Sequence, residues 1–241
     1  MRLACLLILL AGCAQAGAWT QPPGGGFASL SLSGYETDDG GYREATVSAY
    51  GEWGWREAVT LGGSIETAAP EGDGAQTTLS TLVRARLRTG AAGDPTSVQL
   101  AVFQPFGDAS AREAIGAVGD TAVEARLLYG RGFGTRYGDM FVDLQAGPRF
   151  EFGDAADELR LDATVGLRPA PRWIVLGQAF GTLGLRNARG EGDDYDVLKL
   201  APSVGYEIAE GLTLVFGVER EVLTRDIDRG LRARLSLWRA F

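Results

Sequence analysis

No histidine occurs anywhere in the 241 residues, so no imidazole is available as a general base, a proton shuttle or a metal ligand. The only thiols, Cys5 and Cys13, fall within the first thirteen residues, which leaves the body of the sequence without a cysteine nucleophile, a thiolate ligand or a disulfide. Serine or cysteine catalysis through histidine is excluded, and no catalytic residue, cofactor or metal site is expected. What remains is arginine and carboxylate in short alternations, such as Arg84 with Arg86, Glu124 with Arg126, Arg160 with Asp162, and Arg232 with Arg234. Residues two apart share one face of a β-strand, so each such pair would project from one side of a strand. The acidic pairs Asp38-Asp39 and Asp193-Asp194 stand in glycine-rich stretches, where solvated charge is the plain reading and a weak calcium site the bolder one. Gly130-Arg131-Gly132-Phe133-Gly134 has the glycine spacing of a phosphate loop, but no helical pattern follows to present backbone amides to an anion.

Strands must hold these groups, because the apolar residues recur with a period of two rather than 3.6. Leu79, Thr81, Val83, Ala85 and Leu87 form one face of a run whose other face carries Ser80, Leu82, Arg84 and Arg86. Leu159, Leu161, Ala163, Val165 and Leu167 alternate in the same way with Arg160, Asp162, Thr164 and Arg168, and Leu212, Leu214, Phe216 and Val218 with Thr213, Val215, Gly217 and Glu219. Runs and breakers together predict strands over 27–35, 42–53, 57–68, 77–89, 96–105, 121–133, 139–151, 158–168, 172–185, 196–208, 212–222 and 230–241. The number is even, and many runs are long enough for tilted strands that cross a membrane in about 10 residues.

Composition agrees with one all-β domain. The chain has 35 Gly, only 9 Pro and 45% hydrophobic residues, too apolar for disorder. Its formal charge of -8 repels phosphate backbones, so nucleic acid is not an expected partner. The first residues read as an export signal: Arg2 precedes the apolar run Leu3 to Leu10, which is too short for a membrane-spanning helix of about 20 residues. Two processing readings stay open. Ala14-Gln15-Ala16 has the small-x-small pattern that would leave Gly17 as the mature terminus, whereas Leu10-Ala11-Gly12-Cys13 has the form of a lipobox that would leave Cys13 acylated. The expected organisation is a signal peptide over 1–16, a periplasmic segment over 17–26 and a barrel domain over 27–241.

The final strand alternates Leu231, Ala233, Leu235 and Leu237 with Arg232, Arg234 and Ser236, and the sequence stops at Phe241. This tail resembles the C-terminal strand of bacterial outer-membrane β-barrels, although Arg239 occupies a position where that family favours an aromatic residue. The resemblance covers about the last eleven residues at the level of a motif and the rest at the level of architecture. It implies a transmembrane antiparallel up-and-down β-barrel of about twelve strands, surrounded by outer-membrane lipid and delivered by the barrel assembly machinery, with Phe241 as the assembly signal. The connections fit that architecture. Those after odd strands are acidic and glycine-rich, including 36–41, 70–74, the longest at Gly107 to Asp120, 153–157, 187–195 and 224–228. Those after even strands are often tighter, as at 135–138, 169–171 and 209–211, which is the asymmetry of extracellular loops against periplasmic turns.

With the apolar face toward lipid, the alternating polar residues face the lumen. That register puts Arg84, Arg86, Arg88, Glu124, Arg126, Asp143, Arg149, Glu151, Arg160, Asp162, Lys199, Glu219, Glu221, Arg232 and Arg234 inside. Their mixed signs leave two readings: a wet passage that favours anions where arginines dominate, or pairs that close a narrow lumen. Trp19, Trp53, Trp55, Trp173, Trp238, Tyr35, Tyr42 and Tyr50 are placed near strand ends, as aromatic girdles at the headgroups. The functional expectation is a pore or channel for small solutes, not an enzyme. The alternative is a structural or surface-interaction barrel with a closed lumen.

Overall fold

The computed structural model describes residues 17–107, 121–190 and 192–241. Twelve strands follow one another: β1 Gly26–Thr37, β2 Arg43–Arg56, β3 Val59–Pro70, β4 Gln76–Thr89, β5 Pro95–Gly107, β6 Ala122–Thr135, β7 Gly138–Glu151, β8 Glu158–Ala170, β9 Trp173–Gly184, β10 Asp196–Ala209, β11 Leu212–Arg225 and β12 Gly230–Ala240. Each pairs antiparallel with its sequence neighbour, and β1 pairs with β12 from Phe27 opposite Ala240 to Thr37 opposite Gly230, so the sheet closes into a barrel. Closure leaves no sheet edge with unpaired backbone groups, which is the condition for a sheet to reside in hydrocarbon.

Alternation sets inside from outside. In β1, Ser29, Ser31 and Ser33 point inward and are buried, while Leu30 and Leu32 point outward, more than half exposed. The outer surface continues as an apolar belt through Val47, Ile65, Val83, Leu100, Leu127, Leu144, Val165, Val175, Val204, Phe216 and Leu235. So large a continuous apolar surface is not compatible with water, and its counterpart is lipid. The ladder lapses beside two mid-strand prolines, Pro148 in β7 and Pro202 in β10, whose rings carry no N–H to donate.

The two ends of the barrel differ. At the end where β1 begins and β12 finishes, four connections are two-residue turns, at 57–58, 136–137, 171–172 and 210–211, and the fifth spans 90–94. At the other end no connection is a two-residue turn: they run from four residues at 226–229 and five at 38–42 and 71–75 to six at 152–157 and eleven at 185–195. The stretch from Gly107 to Asp120 lies, beyond Gly107, outside the described residues, as do Cys13 and the rest of 1–16. Several loop-end carboxylates are compensated. Asp38 pairs with Arg220 at 2.8 Å, and Asp194 pairs with Arg186 and Arg225, each at 2.7 Å. The amide of Gly41 and the hydroxyl of Thr37 hold the Asp39 carboxyl below its ordinary range.

Two expectations about facing are corrected. Trp53, Trp55 and Trp173 do face outward near the turn end, joined there by Phe133, Tyr137 and Tyr206, with Trp173 and Tyr206 in ring contact at 4.9 Å. Trp238, Tyr35 and Tyr42, however, are buried inside, and Trp19 and Tyr50 pack against the inner apolar cluster. Proximity to a strand end decides height, whereas residue parity decides face, and these five have inward parity or precede the barrel. Arg88 also departs from expectation: a bulge between Arg86 and Arg88 sets it opposite Thr96, on the outward face.

Candidate functional site in the barrel interior

Residues 17–25 do not hang below the barrel. They run into its interior at the turn end and are fixed there by side chains of five strands. Gln21 donates its backbone N–H to Thr60 Oγ1 at 2.8 Å and its Nε2 to Glu52 Oε2 at 3.0 Å. Arg84 Nη1 donates to the Trp19 carbonyl at 3.2 Å, and the Ser97 hydroxyl donates to the Ala18 carbonyl. The Ala18 N–H reaches Asp143 Oδ2 at 2.7 Å. Gly24 and Gly25 exchange backbone hydrogen bonds with Gly54 at 2.9 Å each, continuing the sheet inward.

Two glycines explain why this segment fits. A Cβ on Gly54 would stand 2.0 Å from the Pro22 carbonyl oxygen, and one on Gly130 would stand 2.6 Å from the Trp19 ring. Any side chain at either position would evict the segment. The glycine run 130–134 is therefore part of a strand, and its first member makes room for an indole. The Trp19 ring meets Phe141 edge-on at 6.1 Å and lies against a buried cluster of inward residues, Phe27, Phe141, Ile174, Leu176, Val215 and Trp238. Wall and segment together fill the turn end of the lumen.

Above this seal the interior is charged. On the wall formed by β6, β7 and β8, Arg126 bonds Glu124 at 2.6 Å and also pairs with Asp162; Arg149 reaches Glu124 at 3.3 Å and lies over the Phe103 ring at 4.1 Å. Arg160 bonds Glu158 at 2.6 Å. Across the lumen, Arg232 bonds Glu44 at 3.2 Å, and Glu219 gathers Lys199 at 3.7 Å, Arg232 at 3.8 Å and Arg234 at 3.9 Å. Lys199 also approaches Glu221 at 3.4 Å. Nearer the seal, Arg84 bonds Glu52 at 2.7 Å and holds Gln99 Oε1 through Nε and Nη2.

Of the sequence-selected residues, Arg84 and Asp143 serve the N-terminal segment, and Glu124, Arg126, Arg149, Arg160 and Asp162 form one cluster. Lys199, Glu219, Arg232 and Arg234 form the other. Arg86 is apart from all of them: its guanidinium donates to the Glu57 carbonyl at 3.0 Å, at the rim of the turn end. Sequence reasoning missed Glu44, Glu52 and Glu158, the carboxylates that balance the arginines. Their signal was present, since Tyr42, Glu44, Thr46, Tyr50 and Glu52 alternate along one predicted strand. The role of residues 17–25 had no such signal, because a segment without strand period gives no hint of what it touches.

No family model and no curated relative matches the chain. Solved structures do. The COG4313 outer membrane channel from Pseudomonas putida F1 is similar with a TM-score of 0.66 at 13% identity, covering 95% of this chain and 99% of that one. The KdgM porin has a TM-score of 0.56 at 10% identity over 88% of this chain and 99% of its own. The NanC porin has 0.56 at 10% identity, over 86% and 98%. The chain thus has the fold of the bacterial outer-membrane barrels with twelve strands.

Proposed function

We propose that the protein is exported, cut after Ala16, and inserted in the outer membrane as a pore for small hydrophilic solutes. In this reading the turn end faces the periplasm and residues 17–25 form a stopper. The observation that carries it is the division of labour inside the barrel. The upper lumen is lined by polar and charged side chains, which a barrel serving only as an anchor has no need of, since apolar packing could fill it. The turn end is closed partly by a separate segment, held by hydrogen bonds from five strands and the packing of Trp19 rather than by being a strand of the barrel. Because the inner guanidinium groups above the stopper meet carboxylates, the passage should discriminate weakly between anions and cations. Phe241, exposed beside Gly26 at the turn end, remains available to the assembly machinery.

Single-channel recording in planar bilayers tests the pore. A chain beginning at Gly26 should conduct, with a current well above that of the chain beginning at Gly17. A milder arm uses Gln21→Cys with Thr60→Cys, since those residues touch and both native cysteines precede Gly17. Oxidation should hold the conductance low and reductant should raise it. If the shortened chain inserts and passes no current, the closed-lumen reading, with no transport, replaces this one.

A further inference from the structure

We infer that Asp143 is the receptor for the chain's own α-ammonium group, created when the export signal is removed, so that processing locks the stopper in the barrel. The inference rests on cleavage between Ala16 and Gly17. The carboxylate of Asp143 is 1% exposed, deep in the turn end of the lumen. Its bonds are to neutral donors only: Oδ2 takes the Ala18 N–H at 2.7 Å, and Oδ1 takes Gln145 Nε2 at 2.7 Å. Arg84 is near enough to act on it electrostatically, but that guanidinium is spent on Glu52, Gln99 and the Trp19 carbonyl, while Asp162 opposes it. Among the described residues no cation bonds to Asp143, and a buried carboxylate without one is costly.

Gly17 is where the missing cation would be. The residue is buried, and a Cβ built on it would lie 3.6 Å from Asp143 Oδ2. In a chain cut after Ala16 the Gly17 nitrogen is an ammonium, one residue from the amide that already bonds this carboxylate. The Ala14-Gln15-Ala16 pattern and the buried carboxylate thus point independently to the same bond. The alternative terminus fits poorly. Cys13 stands four positions before Gly17, a reach of about 14 Å at full extension, so acyl chains on Cys13 would start within or barely below the lumen rather than in a bilayer.

The test uses a second property of the sequence, its single lysine, Lys199. An amine-selective acetylating reagent then has two targets in the mature protein, the α-amine and an internal reference. Mass spectrometry of protein isolated from outer membranes should give a chain starting at Gly17. In the folded barrel the α-amine should be acetylated about tenfold more slowly than in the urea-unfolded chain, as expected of a group that reacts only after local opening. Asp143→Asn should remove most of that protection and leave the Lys199 rate unchanged. Should that variant fail to fold, a refolded chain retaining Ala16 displaces the ammonium without altering the wall, and its α-amine should react freely. A terminus at an acylated Cys13 would overturn the processing reading and the lock with it. A Gly17 terminus that reacts equally fast in folded and unfolded protein would overturn the lock alone.

Discussion

Leu32→Arg and Val165→Arg should prevent stable insertion, whereas Thr164→Arg, one residue along the same strand, should fold. Leu32 and Val165 lie near the middle of β1 and β8 and face outward, 58% and 39% exposed. An arginine there stands at the hydrocarbon midplane, at a cost of roughly 2–4 kcal/mol. The same substitution at Leu161 or Leu214, three and two residues from their strand ends, should cost less, because the penalty fades toward the interfaces and the side chain can snorkel. Thr164 faces the lumen, where Gln178 already donates to its hydroxyl at 3.3 Å and Asp162 shares its face, so a guanidinium finds polar company. Folding into lipid vesicles, read by the heat-dependent gel shift of a stable barrel, orders the five variants. If Thr164→Arg failed and Val165→Arg folded, inside and outside would be exchanged and the interior described above would be an exterior.

Those two adjacent residues also show how much of this architecture was legible. A period of two identifies faces without knowledge of partners, so twelve strands could be placed to within a few residues, and the charges of β6, β8 and β12 could be assigned to one side. The pattern fails where a bulge inserts a residue, as between Arg86 and Arg88, because the alternation is then reversed by backbone geometry that no side chain announces. It is also silent on height. Glu44 and Arg232 are far apart in sequence and meet only because β1 closes between their strands, with Glu44 opposite Tyr35 and Tyr35 opposite Arg232. Whether mixed charges pair or stand free depends on that register, and so the open and closed lumen could not be separated. The N-terminal segment was least legible of all, since Gln21, Trp19 and Ala18 make contacts specified by distant strands.

Arg84 joins the wall to that segment, and Arg84→Met should be the most damaging single change in the interior. Its side chain is 2% exposed and that of Glu52 is fully buried. Glu52 also takes hydrogen bonds from Gln21 Nε2 and the Tyr50 hydroxyl, so it is committed as an acceptor on three sides. Methionine keeps much of the arginine stem's volume but strips the carboxylate of its only charged partner among the described residues. Removing one member of a buried pair costs roughly 3–5 kcal/mol, mostly the penalty of the charge left behind. Glu52→Gln alone should cost less, because an amide can still accept from Tyr50 while an arginine is better able to find other acceptors, Gln99 and the Trp19 carbonyl being in place. The double variant Arg84→Met with Glu52→Gln should recover a large part of the loss, since no uncompensated charge remains. Urea unfolding of the four chains in detergent micelles gives the coupling as a double-mutant cycle. A loss below about 1 kcal/mol for Arg84→Met would place this pair with weak surface ion pairs and contradict its burial. The same variant should conduct more often than wild type in bilayers, because the Trp19 carbonyl loses the donor that holds it to β4.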